Sequence, residues 1–151
     1  MTIWMTHCNL EEAVAPPLSG RHALEPARDV SRFQQGRRVL VLENDLMLAD
    51  DLKRELENQG AEVLGPVTTV AEALHLLRSE PGPDAAILDV FLEDEVAYPV
   101  ADALLAQGVP FVFAINRLAW AIPHAYAEVP RTEKPVTMRR LARALRPRNL
   151  E

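Results

Sequence analysis

The chain has 151 residues, of which 48% are hydrophobic and 25% are charged, a composition typical of one globular domain. This much apolar material excludes a wholly disordered chain. The 16 basic and 22 acidic residues give a net charge of -6, which argues against a protein that mainly binds nucleic acid or an anionic membrane.

Cys8 is the single cysteine, so no internal disulfide can form and a reducing compartment is the simplest expectation. No apolar run reaches the ~20 residues of a membrane helix. The N-terminus has neither the basic nor the apolar segment of a signal peptide. We therefore expect a cytoplasmic protein.

The first 36 residues differ from the rest, because they contain prolines and glycines but no strand-like apolar run. We expect an N-terminal arm over residues 1–36, irregular or partly helical near Glu25–Gln35. Such an arm is either a flexible tail or a segment that packs on a partner chain. One domain is expected over residues 37–147, followed by a tail over residues 148–151.

From residue 37 onward, segments with the patterns of strands and helices alternate. Short apolar runs predict strands at Val39–Leu42, Glu62–Val67, Ala85–Val90, Val109–Ile115 and Arg131–Glu133. Helical periodicity and glycine stops predict helices at Leu46–Gln59, Pro99–Gln107 and Val136–Leu145. A capping box at Thr69 and Glu72 predicts the start of a further helix, which runs to Leu77. For Arg117–Val129 the weak periodicity predicts only a short or irregular helix.

This alternation predicts an α/β fold in which five parallel strands are joined by right-handed crossovers, with helices on both faces of a doubly wound sheet. Such sheets bind ligands at the carboxyl ends of their strands. The side chains that follow the strands are therefore the candidates for function.

Polar or charged residues follow three of the predicted strands: Glu43, Asn44 and Asp45 the first, Asp89 the third, and Lys134 the last. Two carboxylates ~4 Å apart repel by ~4 kcal/mol at an effective dielectric near 20, so they need a cation. Mg²⁺ binds through carboxylates, waters and phosphate oxygens. Asp89 can then attack a phosphoryl group, whose oxygens Lys134 holds. The pattern indicates phosphoryl transfer.

The motifs VLVLEND, ILDV and EKP, in this order on alternating strands and helices, resemble the receiver domain of bacterial two-component response regulators. The resemblance covers roughly residues 37–147. Within it, the stretch LDVFLEDEVAYPVADALLAQGVPFVFAI is similar to the subgroup of receivers that stand alone without an output domain. The resemblance implies a flavodoxin-like sheet with strand order 2-1-3-4-5, and phosphoryl transfer from a histidine kinase to an aspartate.

The resemblance also implies a role for each site residue. Asp89 matches the phosphoacceptor and Lys134 the phosphoryl contact, while Glu43, Asn44, Asp89 and the backbone carbonyl of Phe91 match the Mg²⁺ ligands. Position 44 carries an aspartate in the family, and the uncharged amide of Asn44 is expected to weaken metal binding. From its position alone, Asn44 is equally well interpreted as a helix N-cap.

Two other positions depart from the family pattern. Ile115 stands where the family has a threonine or serine hydroxyl, and Arg131 takes the place of an aromatic switch residue. The family's coupling from phosphoryl group to hydroxyl to aromatic ring therefore cannot operate here. The acidic run Glu93–Glu95 is expected to be a solvated loop rather than a set of metal ligands.

We therefore expect a receiver in phosphorelay signalling that accepts a phosphoryl group on Asp89 and acts through protein–protein interaction. It is not expected to be an enzyme beyond slow self-dephosphorylation. Expected partners are a histidine kinase and a downstream protein of unknown identity, with homodimerisation left open. The alternative is a degenerate receiver that binds its partner independently of phosphorylation. A phosphatase of the DxD type is disfavoured, because Phe91 occupies its second acidic position.

Overall fold

The structure is a computed structural model, and it describes residues 36–79, 81–116 and 122–145. The predictions for the arm up to residue 35, including the helix near Glu25–Gln35, and for the tail over residues 148–151 lie outside the described residues. So does the first part of the segment Arg117–Val129.

Five strands and four α-helices alternate in the described part of the chain. The strands are β1 (Arg38–Leu42), β2 (Glu62–Val67), β3 (Ala85–Asp89), β4 (Phe111–Ile115) and β5 (Arg131–Glu133). The helices are α1 (Leu46–Asn58), α2 (Val70–Leu77), α3 (Tyr98–Gln107) and α4 (Met138–Ala144), and a 3-10 turn at His124–Tyr126 precedes β5. None of the described helices is long and apolar enough to cross a membrane.

All strand pairs are parallel, and the sheet order is β2-β1-β3-β4-β5, which confirms the predicted flavodoxin-like topology. The register places Leu42 opposite Leu88, and Asp89 opposite Ala114. The residues that follow β1 therefore lie beside the end of β3. This is where a parallel sheet of this order is expected to bind its ligand.

The core has two layers because successive strand residues point to opposite faces of the sheet. On one face, Leu40, Leu88 and Phe113 pack against α2 and α3. On the other face, Val41 and Ile87 pack against α1 and α4. This burial on both faces explains the nearly uniform apolarity of the central strands.

Two elements begin two residues later than predicted: α4 at Met138 instead of Val136, after its N-cap Thr137, and β4 at Phe111 instead of Val109. Gly108 ends α3 in a left-handed conformation with φ of 72°. The next amide, Val109 N, donates to Leu104 O over 3.0 Å and so closes the helix. Val109 therefore belongs to the helix cap and not to the strand.

Candidate functional site

The carboxyl ends of β1, β3 and β5 bring three charged side chains together. Lys134 Nζ lies 3.0 Å from Asp89 Oδ2 and 3.1 Å from Glu43 Oε2. The three residues are separated by up to 91 positions in the chain. The structure therefore places the predicted phosphoacceptor, the predicted phosphoryl contact and one predicted metal ligand in a single cluster.

Backbone hydrogen bonds at the ends of the strands hold this cluster in place. Glu43 N donates to Val67 O of β2 over 3.0 Å, and Lys134 N donates to Ile115 O of β4 over 2.8 Å. Glu43 Oε1 also accepts from Asp45 N over 3.0 Å. Because each contact continues a strand pairing or closes the following turn, the sheet itself sets the positions of the side chains.

The cluster is buried. Glu43 is 4% exposed and Asp89 is 5% exposed, while the Lys134 side chain is 17% exposed. With both carboxylates ionised, the three side chains carry a net charge of -1. A single ammonium group that contacts both carboxylates offsets most of their repulsion, which is costly in a desolvated site.

Burial changes the proton affinities within the cluster. It raises the pKa of Glu43 to about 7, an effect increased by the hydrogen bond and the negative charge of Asp89 and opposed by Asp45 N–H and Lys134. For Lys134, burial lowers the pKa, but the contacts with Asp89 and Glu43 outweigh burial and leave it raised. Lys134 therefore stays protonated, while Glu43 titrates near neutral pH.

Asn44 contacts the predicted phosphoacceptor directly. Oriented to satisfy both neighbours, its amide nitrogen donates to Asp89 Oδ2 over 3.1 Å and its oxygen accepts from Glu93 N over 3.0 Å. The N-cap interpretation of Asn44 is wrong. The N-cap of α1 is Asp45, whose carboxylate accepts from the first-turn amides Met47 N and Leu48 N. Asn44 is one residue too early to reach them.

The connection after β3 is a closed hairpin over residues 91–96, which we call the 91–96 hairpin. Phe91, the predicted carbonyl ligand, pairs with Val96 in an antiparallel bridge, and Leu92 N donates to Glu95 O over 2.9 Å. Glu93 is exposed, as the prediction of a solvated loop requires. Glu95 is exposed as well, but its carboxylate accepts from Val70 N over 2.9 Å, a contact that the prediction did not include.

The contact between Glu95 and Val70 joins positions 25 residues apart. No local pattern marks it, because an acidic residue in an acidic run looks solvated whatever its distant neighbour is. The capping box of the same helix was predictable, since it lies within four residues. Glu72 N donates to Thr69 Oγ1 over 3.2 Å, and Glu72 Oε1 accepts from Thr68 N over 3.1 Å.

The structure also shows the contacts of Ile115 and Arg131, the two other positions that depart from the family pattern. Ile115 is 7% exposed and packs in the apolar core, so it offers no polar group. Arg131 Nη2 donates to Tyr126 O of the 3-10 turn over 3.2 Å. The Tyr126 ring stacks on Tyr98 with centroids 4.8 Å apart, and its hydroxyl donates to Asp102 Oδ1 over 2.7 Å. Arg131 therefore supports the 3-10 turn through a hydrogen bond, at the position where the family has an aromatic side chain.

The donor set of the site suits Mg²⁺ in a limited way. Within the described ranges, no group of three or more His, Cys, Asp or Glu residues is arranged to hold a metal ion. Mg²⁺, however, is commonly bound by one or two carboxylates together with waters and phosphate oxygens. Glu43 and Asp89 supply two adjacent carboxylates, so the residues present fit that ion.

The chain matches no protein-family model and no curated protein sequence. It is similar to the solved structure of SdrG from Sphingomonas melonis Fr1, with 37% identity and a TM-score of 0.63. That similarity covers 74% of this chain and 94% of SdrG.

Two further similar structures are of a response regulator and of a receiver domain. The response regulator PhyR from Brucella abortus is 25% identical with a TM-score of 0.67, over 83% of this chain and 54% of PhyR. The chain therefore spans about half of that protein. The non-phosphorylated HemR receiver domain from Leptospira biflexa is 24% identical with a TM-score of 0.60, over 76% of this chain and 98% of that domain. At this identity, the likeness to HemR concerns the fold alone.

Proposed function

Since the chain belongs to the receiver domains of response regulators, we propose that it accepts a phosphoryl group on Asp89 from a histidine kinase and signals through protein–protein interaction. The observation that carries the proposal is the buried contact of Lys134 Nζ with Asp89 and Glu43, at 3.0 and 3.1 Å. A lysine held at that place is ready to bind the oxygens of a phosphoryl group on Asp89.

In the proposed transfer, a carboxylate oxygen of Asp89 attacks the phosphorus of a phosphohistidine on the kinase. The new P–O bond forms while the P–N bond breaks, and its electron pair stays on the imidazole nitrogen, which then takes a proton from water. Lys134 contributes a fixed positive charge beside the attacked phosphorus. The product is an aspartyl phosphate on this chain and an unmodified histidine on the kinase.

Magnesium is the proposed cofactor. Glu43, Asp89 and the carbonyl of Phe91 would hold it, and the bound ion would supply positive charge that offsets the charge of the phosphoryl oxygens. The amide oxygen of Asn44, which accepts from Glu93 N in this structure, would join these ligands only after the amide group turned toward the ion. Asn44 contributes no charge to this set. The proposed affinity is therefore lower than that of a site with an aspartate at position 44.

Labelling with acetyl phosphate and Mg²⁺ tests the proposed function. We expect the mass of the wild-type chain to increase by one phosphoryl group that hydroxylamine removes, because an acyl phosphate is sensitive to that reagent. Asp89→Asn should remain unlabelled. Asp94→Asn, which changes an exposed aspartate in the nearby 91–96 hairpin, is the matched control and should label normally. Equal labelling of wild type and Asp89→Asn contradicts the assignment of Asp89.

We expect Asn44→Asp to increase Mg²⁺ affinity by about thirtyfold, since a unit charge ~4 Å from a divalent ion is worth up to ~8 kcal/mol at an effective dielectric near 20, reduced here by partial exposure and by repulsion from Glu43 and Asp89. Calorimetric titration with Mg²⁺ measures this change. Asn58→Asp, at the exposed end of α1, is the control and should leave the affinity unchanged. An equal effect of the two substitutions contradicts the proposed role of position 44 in metal binding.

A degenerate receiver that binds its partner without phosphorylation is the second candidate. The observations that favour it are the apolar burial of Ile115 and the polar contact of Arg131 with Tyr126 O, since neither residue can relay a change at Asp89 as the family does. If the wild type stays unlabelled at every Mg²⁺ concentration, this candidate replaces the first one.

A further inference from the structure

Backbone hydrogen bonds make the 91–96 hairpin a closed connection with a defined shape. Leu92 N donates to Glu95 O over 2.9 Å, and Ala97 N donates to Val90 O over 2.9 Å. Leu92 and Ala97 are 7% and 0% exposed, so both sides of the hairpin are anchored in the core. Because the hairpin is closed, a displacement of Glu93 is passed to Glu95 instead of being absorbed by the backbone between them.

Polar side chains tether this hairpin on two sides. On one side, the Asn44 amide joins Asp89 Oδ2, at 3.1 Å, to Glu93 N, at 3.0 Å. On the other side, Glu95 Oε2 accepts from Val70 N, at 2.9 Å. A continuous series of short contacts therefore runs from Asp89 to the first residue of α2.

Helix α2 is sensitive to the contact that Glu95 makes. It has eight residues, and the first amides of any helix lack partners within the helix. Thr69 and Glu72 satisfy the amides of Glu72 and Thr68, while the amide of Val70 is satisfied by Glu95. The carboxylate also carries the charge that a helix N-terminus favours. Loss of this contact leaves the Val70 amide without its acceptor.

We propose that Asn44 and Glu95 are positioning residues that couple Asp89 to the N-terminus of α2 through the 91–96 hairpin. The proposal rests on the proposed phosphorylation of Asp89. When one Asp89 oxygen is bonded to phosphorus, the carboxylate loses charge and the phosphoryl oxygens become the stronger acceptors for the Asn44 amide nitrogen. The amide group is planar, so its nitrogen cannot turn toward them without moving the oxygen that holds Glu93 N.

This coupling requires neither the hydroxyl nor the aromatic ring that the family uses and that this chain lacks. Ile115 has no hydroxyl and Arg131 no ring, whereas the contacts of Asn44 and Glu95 are made by side chains present here. The expected output of phosphorylation is a change in the stability of the first turn of α2 and in the position of the exposed hairpin beside it.

Amide hydrogen exchange at Val70, followed by NMR on the full unphosphorylated chain, tests the link. We expect Glu95→Gln to speed exchange by about tenfold, as loss of a charge-assisted hydrogen bond implies, and Asn44→Ala to speed it in the same direction. The double variant should match Glu95→Gln, because both changes act on one series of contacts. Asp94→Asn, at the exposed tip of the hairpin, is the matched control and should leave exchange unchanged.

The link is wrong if Asn44→Ala leaves Val70 exchange as in wild type, or if the two substitutions add. A second arm treats wild type and Glu95→Gln with acetyl phosphate and Mg²⁺. Equal labelling of both at Asp89, with changed Val70 exchange in wild type alone, supports the coupling, while equal changes in both overturn it. If neither is labelled, the proposed function fails, and the result with Asn44→Ala still decides whether the link exists.

Discussion

Replacement of Lys134 by methionine is expected to lower the free energy of unfolding by about 3–5 kcal/mol at pH 8, the loss typical when one partner of a buried ion pair is removed. Methionine keeps the unbranched stem of the side chain but removes the ammonium group. Glu43 and Asp89, 4% and 5% exposed, then face each other without a cation. Urea denaturation of the wild type and the variant in metal-free buffer measures the difference.

The matched control for this substitution is Lys53→Met. Lys53 Nζ also lies 3.0 Å from a carboxylate, that of Glu57, but the two side chains are 38% and 48% exposed. Removal of this surface pair should change stability by less than about 0.5 kcal/mol. If both substitutions lower the free energy of unfolding by equally small amounts, Lys134 does not stabilise the buried carboxylates of Glu43 and Asp89.

Lowering the pH should reduce the effect of Lys134→Met. The pKa of Glu43 is raised by burial to about 7, so at pH 5 the folded chain binds a proton on Glu43 and the repulsion between the carboxylates is relieved. A loss of stability that stays the same at pH 5 and pH 8 would contradict carboxylate repulsion as its cause.

The second large effect is the pH dependence that Glu43 gives the wild-type chain. The folded-state pKa of about 7 exceeds the ordinary value of 4.5, so the folded state binds more protons than the unfolded state between those values. The contribution of Glu43 to stability is therefore complete below pH 4.5 and is lost as the pH rises through 7. The expected loss between pH 4.5 and 8 is about 3 kcal/mol, at ~1.4 kcal/mol for each pH unit.

Comparison of Glu43→Gln with wild type isolates this contribution. The difference in unfolding free energy between the two, measured by urea denaturation in metal-free buffer, should change with pH across this window. Glu55→Gln, on the exposed surface of α1, is the matched control and should follow the wild-type pH profile. If Glu43→Gln also follows the wild-type profile, Glu43 does not titrate near neutral pH in the folded chain.

Much of this architecture was predictable from local patterns. The bounds of β2 and β5 agree with those predicted, and the capping box at Thr69 and Glu72 lies where the spacing placed it. Local signals of this kind act within a few residues, through side-chain periodicity and capping. Because parallel strands leave their carboxyl ends at one edge, even the meeting of Asp89 and Lys134 followed from strand order.

Other features came from contacts between distant segments and left no mark on the neighbouring residues. The orientation of Asn44 depends on Asp89 and Glu93, and the role of Glu95 depends on Val70, 25 residues earlier in the chain. The degree of burial of Glu43, and hence its raised pKa, depends on how closely the helices and loops cover the edge of the sheet. The order of residues was thus enough to identify the sheet and its charged edge, whereas the hydrogen-bond partners and proton affinities at that edge required the packed chain.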